Sequence, residues 1–586
     1  MELLLFTFVF FYPLFMAVYW MTGSLLFFNR WEPRGNKPPK LKDYPLVSIL
    51  VPSHNEEKCI RDAILQLSAN HYPNFEIIAI NDGSTDSTEQ ILHELTGEIT
   101  NLKIINLTKN YGKAMALKMG VLSSSSDYVM CIDADALLDK DALFWMIKHF
   151  QEGPRVGAVT GNPRVINRTS LLGRIQIGEF SAIVGMVKRT QRGVGRIFTV
   201  SGVNACFRKS ALHDVGYWSS ETVTEDIDIS WKLQIRRWDI RYEPHALTWI
   251  LVPETIRALW KQRLRWAQGG FEASVKFFKD IFQWKNRRMW VVAAEYWISV
   301  AWCYALVFTV ACFTGTHLLP ASWPEAIRVE TLIPGWTGVI LAVVCLAQFA
   351  VGLSIDSHYE RRGLFRYMFW AIWYPGLYWF ISAATTVVAI PKGLMRRGKD
   401  KHVSWQSPVR ILQYSPLRIR EVRKKSERRT AFWHFDKTRK FAQAVIMFVS
   451  WGLWAYLITP LISLMVWGIG AYLVKDRLMT EGSYETFARV FGYGGIILTM
   501  WCVLAIWIAW NQLRYGRRNR RRRPLPNITP EEMSRVMGIQ VIDVERLRNS
   551  KEAFMHFDDA DIPVIERLEE PVKLQAANSP QLELVK

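Results

Sequence analysis

Leu46-Val47-Ser48-Ile49-Leu50-Val51-Pro52 is an apolar run broken only by a serine and closed by a proline. Seven residues are too few for a stable helix, and a run that does not alternate with charged residues reads as a strand buried on both faces. Further runs follow at Glu76 to Asn81, Lys103 to Leu107 and Tyr128 to Ile132, each short and rich in β-branched or aromatic residues. Between them, Glu57 to Ala69, Ser87 to Leu95 and Ala114 to Ser123 carry apolar residues at helical spacing. Strand and helix alternate in this way to about residue 250, which predicts an α/β domain built on a parallel sheet. Both faces of that sheet would be covered by helices, and the ligand site would lie at the carboxyl ends of the strands.

What flanks this domain is of another kind. Half of the 586 residues are hydrophobic and 26 are tryptophan, a composition of membrane proteins, while the near-zero mean hydropathy limits the membrane share to part of the chain. Residues 4–28 are too long for the apolar core of a signal peptide and lack a small-residue cleavage site, so they read as a retained anchor within residues 1–29. Arg30, Arg34, Lys37, Lys40 and Lys42 follow it and place the next domain, 45–250, in the cytoplasm. Residues 251–288 mix tryptophans, phenylalanines and basic residues, as expected of helices lying in a membrane interface.

Long apolar stretches follow at 289–314, 333–355 and 366–391, then at 441–474 and 490–513. They divide the rest of the chain into a transmembrane region 289–391, a basic linker 392–440, a transmembrane hairpin 441–513 and a cytosolic tail 514–586. If all three of the first group crossed, the basic linker would lie outside, against the positive-inside bias. Pro375-Gly376 inside 366–391 suggests a re-entrant or interfacial segment, which returns the linker to the cytoplasm. Glu295 lies within an apolar stretch and reads either as lining a polymer path or as reaching back to the interface near Arg288.

The net charge of +20 is concentrated beside the apolar stretches, at Lys392 to Lys401, Arg418 to Arg429 and Arg517 to Arg523. This placement suits anionic headgroups and topology control rather than nucleic acid. The seven cysteines form no C-x-x-C pair and read as small buried residues in a reducing compartment.

Four motifs carry chemistry. Asn81-Asp82-Gly83-Ser84-Thr85-Asp86 follows a strand and precedes a helix; alone it is a tight turn with an N-cap. Asp133 and Asp135 stand at the end of the run Tyr128 to Ile132, and their i, i+2 spacing there allows both carboxylates to approach one hard divalent ion. Mg2+ (or Mn2+) in that place would bridge the oxygens of a diphosphate, although D-x-D also occurs in ordinary acidic turns. Lys113 adds positive charge near the same phosphates or is a solvated surface lysine. Thr224-Glu225-Asp226 reads as a helix start capped by Thr224, or as the carboxylate that takes a proton from an attacking hydroxyl, with Asp226 as the base. In Gln262-Arg263-Leu264-Arg265-Trp266, Gln262 supplies an amide and Arg265 a cation for a leaving diphosphate. Trp266 offers an apolar face to a sugar ring or anchors the chain at the membrane interface.

In this order and flanked by spans, the four motifs resemble those of the processive family 2 glycosyltransferases that make cellulose, chitin and hyaluronan. Val159 to Arg164, Thr199 to Val203, Thr224 to Leu233 and Leu259 to Gly270 look like the catalytic subunits of bacterial poly-β-1,6-N-acetylglucosamine synthases, a likeness covering about residues 10–410. Residues from about 430 to the end are similar to the small accessory subunit of those synthases, notably in Tyr515 to Ile539 and Glu552 to Phe557. The resemblance implies a GT-A-like, Rossmann-like α/β domain that transfers N-acetylglucosamine from UDP-GlcNAc to the O6 of a growing polysaccharide with inversion, in a multi-pass protein of the bacterial inner membrane. It implies donor binding by Asp82, Lys113, Asp133 and Asp135, with the metal on the last two, Asp226 as base, and Glu225, Gln262, Arg265 and Trp266 at the acceptor and diphosphate. It also implies cyclic di-GMP as an activator, and outer-membrane export and deacetylase machinery as partners. No PilZ-like motif is present, so such an activator would need an interfacial site, for which Arg410 to Arg429 and Arg517 to Arg523 carry the charge.

Overall fold

A computed structural model describes residues 2–396 apart from short gaps, scattered helical positions between 445 and 510, and residues 527–569 apart from residue 559. The basic linker from residue 397 onward, nearly all of the hairpin and the clusters Arg410 to Arg429 and Arg517 to Arg523 lie outside the described residues.

Ten strands form one sheet: β1 (Val47–Ser53), β2 (Phe75–Asp82), β3 (Leu102–Leu107), β4 (Tyr128–Cys131), β5 (Leu137–Leu138), β6 (Val156–Val165), β7 (Ala205–Arg208), β8 (Asp239–Ile250), β9 (Glu552–Phe557) and β10 (Pro563–Glu569). Their order is β10-β9-β3-β2-β1-β4-β7-β6-β8-β5. Every residue of β1 is buried. Ile49 and Val51 face the helices Ile60–Ser68, Thr88–Glu98 and Ala142–Glu152, while Leu50 faces Lys113–Ser123 and Glu225–Ile235 on the other side. Period-two alternation thus feeds two cores from one apolar run.

The all-parallel expectation is corrected. β3, β2, β1 and β4 are parallel, but β7 runs antiparallel to both β4 and β6, and β5 and β10 are antiparallel to their neighbours. The helices Leu171–Glu179 and Met186–Val194 return the chain to the edge where β4 ends, so Ala205 enters the sheet opposite Cys131 and can only run back. That reversal delivers Ser201 to Asn204 to the same edge as Asp133 and Asp135.

The tail is also more than a separate appendage. Thr529 and Glu532 form a capping box at the start of the helix Pro530–Met537. This helix and Val541–Asn549 sink Met533, Met537, Val544 and Leu547 into the core around Leu117 and Val121. β9 then adds in parallel to β3, with Ile104 opposite Glu552. A strand edge left open on β3 would be an aggregation hazard, and the tail closes it.

Among the described residues, two helical stretches, Thr7–Trp31 and Trp284–Leu318, are long and apolar enough to cross a membrane. The first packs on the helices Met186–Val194, Gly335–Asp356 and Trp290–Leu318. Buried ion pairs join this layer to the α/β domain: Arg189 contacts Glu32 at 2.6 Å and Asp356 at 2.9 Å, and Arg164 pairs with Asp356 and Glu360. Glu295 is held between helices, accepting hydrogen bonds from Trp20 Nε1 at 3.1 Å and Gln191 Nε2 at 3.0 Å. Of the segment 366–391, the described residues include part of a 3-10 turn, Leu364–Trp370, and of the helix Trp379–Arg396, which packs on Ile256–Lys276; Pro375-Gly376, on which the re-entrant reading rests, lies outside the described residues. None of the seven cysteines forms a disulfide, and all but Cys502 are buried.

Candidate active site

β2 ends at Asp82, whose fully buried carboxylate accepts hydrogen bonds from the amides of Tyr111 and Gly112, both at 2.8 Å. Burial pushes its pKa up to about 6, against the pull of those two amides. The loops after β2 and β3 meet closely here. Gly83 has φ +60, and a Cβ on it would lie 2.3 Å from the carbonyl carbon of Lys109, so only glycine permits this approach. Asp82 therefore organises the loop that begins the helix Lys113–Ser123.

Lys113, the first residue of that helix, is placed at the centre of the site. Its Nζ lies 2.7 Å from Asp133 Oδ1 and 3.0 Å from Glu225 Oε1, and donates to the carbonyl of Gly202 at 3.3 Å. Burial works against its charge, but Asp133 and Glu225 outweigh it and hold the ammonium above the usual lysine range. The solvated surface lysine is thereby ruled out. Residues some 20 and 112 positions away along the chain are joined by one cation. Asp135 is buried beside Asp133.

Glu225 and Asp226 open the helix Glu225–Ile235, where the dipole favours acids. Thr224 occupies the N-cap position, but its side chain makes no capping hydrogen bond; it packs instead against Gly269 of the helix Ile256–Lys276. Burial is the main cause that raises Asp226 to about 6, and the adjacent Glu225 charge adds to it. Burial acts on Glu225 too, yet Lys113 prevails and lowers it. Two neighbouring carboxylates thus separate into a firmly ionised one and one that titrates near neutrality. A Cβ built on Gly202 would touch Asp226 Oδ2 at 3.3 Å, Lys113 Nζ at 3.4 Å and Glu225 Oε1 at 3.5 Å, so this glycine marks the point where the three converge.

The helix Ile256–Lys276 starts at Thr255, whose hydroxyl accepts from Ala258 N at 3.2 Å. Arg265 is exposed, and its charge lowers both Glu225 and Asp226, which places it on the side of the acids. Gln262 and Trp266 are half-buried. Arg263 is buried, donates to Glu179 Oε2 at 2.8 Å and stands 4.3 Å from the centre of the Trp266 ring. One face of the indole is therefore covered by a guanidinium.

Sequence reasoning missed Glu179 and Lys188, and it noted Gly202 only within Thr199 to Val203, with no role in the site. Lys188 is buried, donates to Thr160 Oγ1 at 3.2 Å, and is lowered to about 8 by burial, with Asp226 opposing. No motif shows what these residues do, because their roles depend on neighbours remote in sequence. Among the described residues, no group of three or more His, Cys, Asp or Glu side chains converges to cage a metal on its own.

The Glycosyl transferase family 2 model matches residues 48–216, and the model of the PgaD-like protein family matches residues 430–561. The poly-beta-1,6-N-acetyl-D-glucosamine synthase of Staphylococcus epidermidis is 40% identical over 412 residues, covering 69% of this chain and 98% of the relative. That of Staphylococcus aureus strain COL is 41% identical over 409 residues, with the same coverage. Among solved structures, the mannosyltransferase PcManGT from Pyrobaculum calidifontis in complex with GDP-Man and Mn2+ aligns with a TM-score of 0.44 at 19% identity, over 65% of this chain and 97% of that one. The PgaD-like match begins beyond residue 396, where the long described stretch ends, on the same polypeptide. The chain belongs to the poly-beta-1,6-N-acetyl-D-glucosamine synthase family of family 2 glycosyl transferases and carries a PgaD-like segment in addition.

Proposed function

We propose that this protein polymerises N-acetylglucosamine from UDP-GlcNAc into β-1,6-linked poly-N-acetylglucosamine at the cytoplasmic face of a bacterial inner membrane and passes the polymer across it. The observation that carries this reading is the convergence of Lys113, Asp133, Glu225 and Asp226 around Gly202 at the carboxyl edge of the sheet.

In this reading the O6 hydroxyl of the polymer end attacks the anomeric carbon of the donor. A new C1–O6 bond forms as the bond from C1 to the β-phosphate oxygen breaks, UDP leaves with the electron pair, and the hydroxyl proton passes to Asp226. A base raised to about 6 is ionised at neutral pH and still basic enough to accept that proton. Lys113 and Arg265 stabilise the negative charge gathered by the acids and by the departing diphosphate. Asp133 and Asp135 are a hard oxygen pair suited to Mg2+ or Mn2+, an ion that completes its shell with waters and substrate phosphates rather than with a protein cage. Such an ion supplies neutralisation of the diphosphate when bound. Trp266 offers its free face to a sugar ring of the acceptor.

Membranes containing the protein and radiolabelled UDP-GlcNAc test the proposal. Long acid-insoluble polymer is expected, lost with EDTA and restored by Mg2+ or Mn2+. Asp226→Asn should lower the rate by about 10²- to 10⁴-fold. Short lipid-linked product would make the enzyme a nonprocessive transferase, and near-normal polymerisation by the variant would remove Asp226 as the base.

A further inference from the structure

The tail strand β9 touches both loops that frame the donor end of the site. Its Phe557 amide donates to the Tyr111 hydroxyl at 3.1 Å, and the two rings meet edge to face at 4.7 Å. The Tyr111 and Gly112 amides are those held by Asp82, and Lys113 follows directly. The second route begins at Glu552, a carboxylate only 3% exposed. Its Oε1 accepts from Asn106 Nδ2 at 2.6 Å, Asn106 Oδ1 accepts from Asn81 Nδ2 at 3.0 Å, and Asn81 Oδ1 accepts from the amide of Ser84 at 3.2 Å. The desolvation of this buried carboxylate is offset by that hydrogen-bonded chain, which ends in the turn Asn81 to Asp86, and by His93, whose Nδ1 lies 2.9 Å from Oε2. At Gly83 the backbones of the two loops pack closely against each other, at Lys109 and Asn110.

We propose that Glu552 and Phe557 are positioning residues of the glycosyl transfer site: seated on β3, they hold the loops 81–86 and 109–113 in the arrangement that receives the nucleotide diphosphate. Neither residue touches the reacting atoms. The proposal rests on the reading of these loops as the donor site, and it assigns to the tail of the PgaD-like segment a structural hand in donor affinity.

The test compares UDP binding by calorimetry, and KM and kcat for UDP-GlcNAc, in the full chain reconstituted in nanodiscs. Phe557→Ala and Glu552→Ala should raise the UDP Kd and the KM by about three- to tenfold, with kcat changed much less. Phe557→Tyr, which keeps the ring, should restore both. If Phe557→Ala does not fold, Tyr111→Phe, which removes only the hydroxyl that receives the Phe557 amide proton, should raise Kd and KM by about two- to threefold. Folded Ala variants that lose thermal stability but retain wild-type Kd and KM, or that lose kcat alone, overturn the inference. Wild-type protein that binds no UDP overturns the donor-site reading itself, and this inference with it.

Discussion

Lys113 Nζ stands 3.0 Å from Glu225 Oε1, joining the first turn of one helix to the first turn of another across the carboxyl edge of the sheet. Both groups are largely shielded from water, so the pair acts at low effective dielectric, and the same ammonium also reaches Asp133. Removing it would leave three acids facing one another.

Lys113→Ala is therefore expected to lower kcat/KM for UDP-GlcNAc by about 10²-fold. It should also shift the acid limb of the pH–rate profile upward, because the cation that lowers Asp226 is gone. Steady-state rates across pH check both effects; an unchanged acid limb would show that Lys113 does not act on Asp226.

The wild-type rate should fall as pH drops through about 6, with the slope of one proton, as Asp226 becomes protonated. Stability should move the other way. Asp82 and Asp226 both have folded pKa values raised above their ordinary ones, so their contribution is intact below about 4 and is lost as pH rises through about 6. Asp226→Asn should accordingly unfold at a higher temperature than wild type at pH 7 while polymerising poorly. Thermal melts at pH 5 and pH 7 read this sign, and a less stable Asn variant at pH 7 would contradict it.

Gly202→Ala places a methyl group in contact with Asp226, Lys113 and Glu225 at once. The expected result is a kcat about tenfold lower with little change in unfolding temperature, since displacement of a catalytic group costs more in rate than in stability. Wild-type turnover by this variant would show that the point of convergence is not where the sugar reacts.

Arg263→Ala strands Glu179 as an uncompensated buried acid and uncovers one face of Trp266. A loss of about 3–5 kcal/mol is expected from denaturant unfolding. Pairing it with Glu179→Gln should recover part of that loss, and equal stability of the single and double variants would deny the ion pair its role.

The legibility of the site followed the range of the interactions. Asp82, Asp133, Asp135, Glu225 and Asp226 were visible because each sits at a junction of strand and turn or at a helix start, where local pattern alone reports position. Thr224 was visible as a cap by the same rule, yet contact with Gly269 took its side chain away from the helix amides. Arg263 looked like one basic residue among eight between 255 and 287, and only its burial against Glu179 distinguishes it. Gly202 and Glu552 stood only inside stretches that carry the family likeness, and their roles stayed hidden, since neither lies in a periodic pattern that points to a partner.

Apolar periodicity by itself determined the succession of strands and helices, the apolar stretches flanking them, and the acids at the carboxyl ends of the strands, because these follow from forces acting within a few residues. Tertiary structure alone decided that β7 runs backward, that the tail completes the sheet at β3, and that Lys113 lies between Asp133 and Glu225. Strand direction, edge pairing and ion pairing are settled by which distant surfaces exclude water from one another, and that choice is made only when the whole chain is folded.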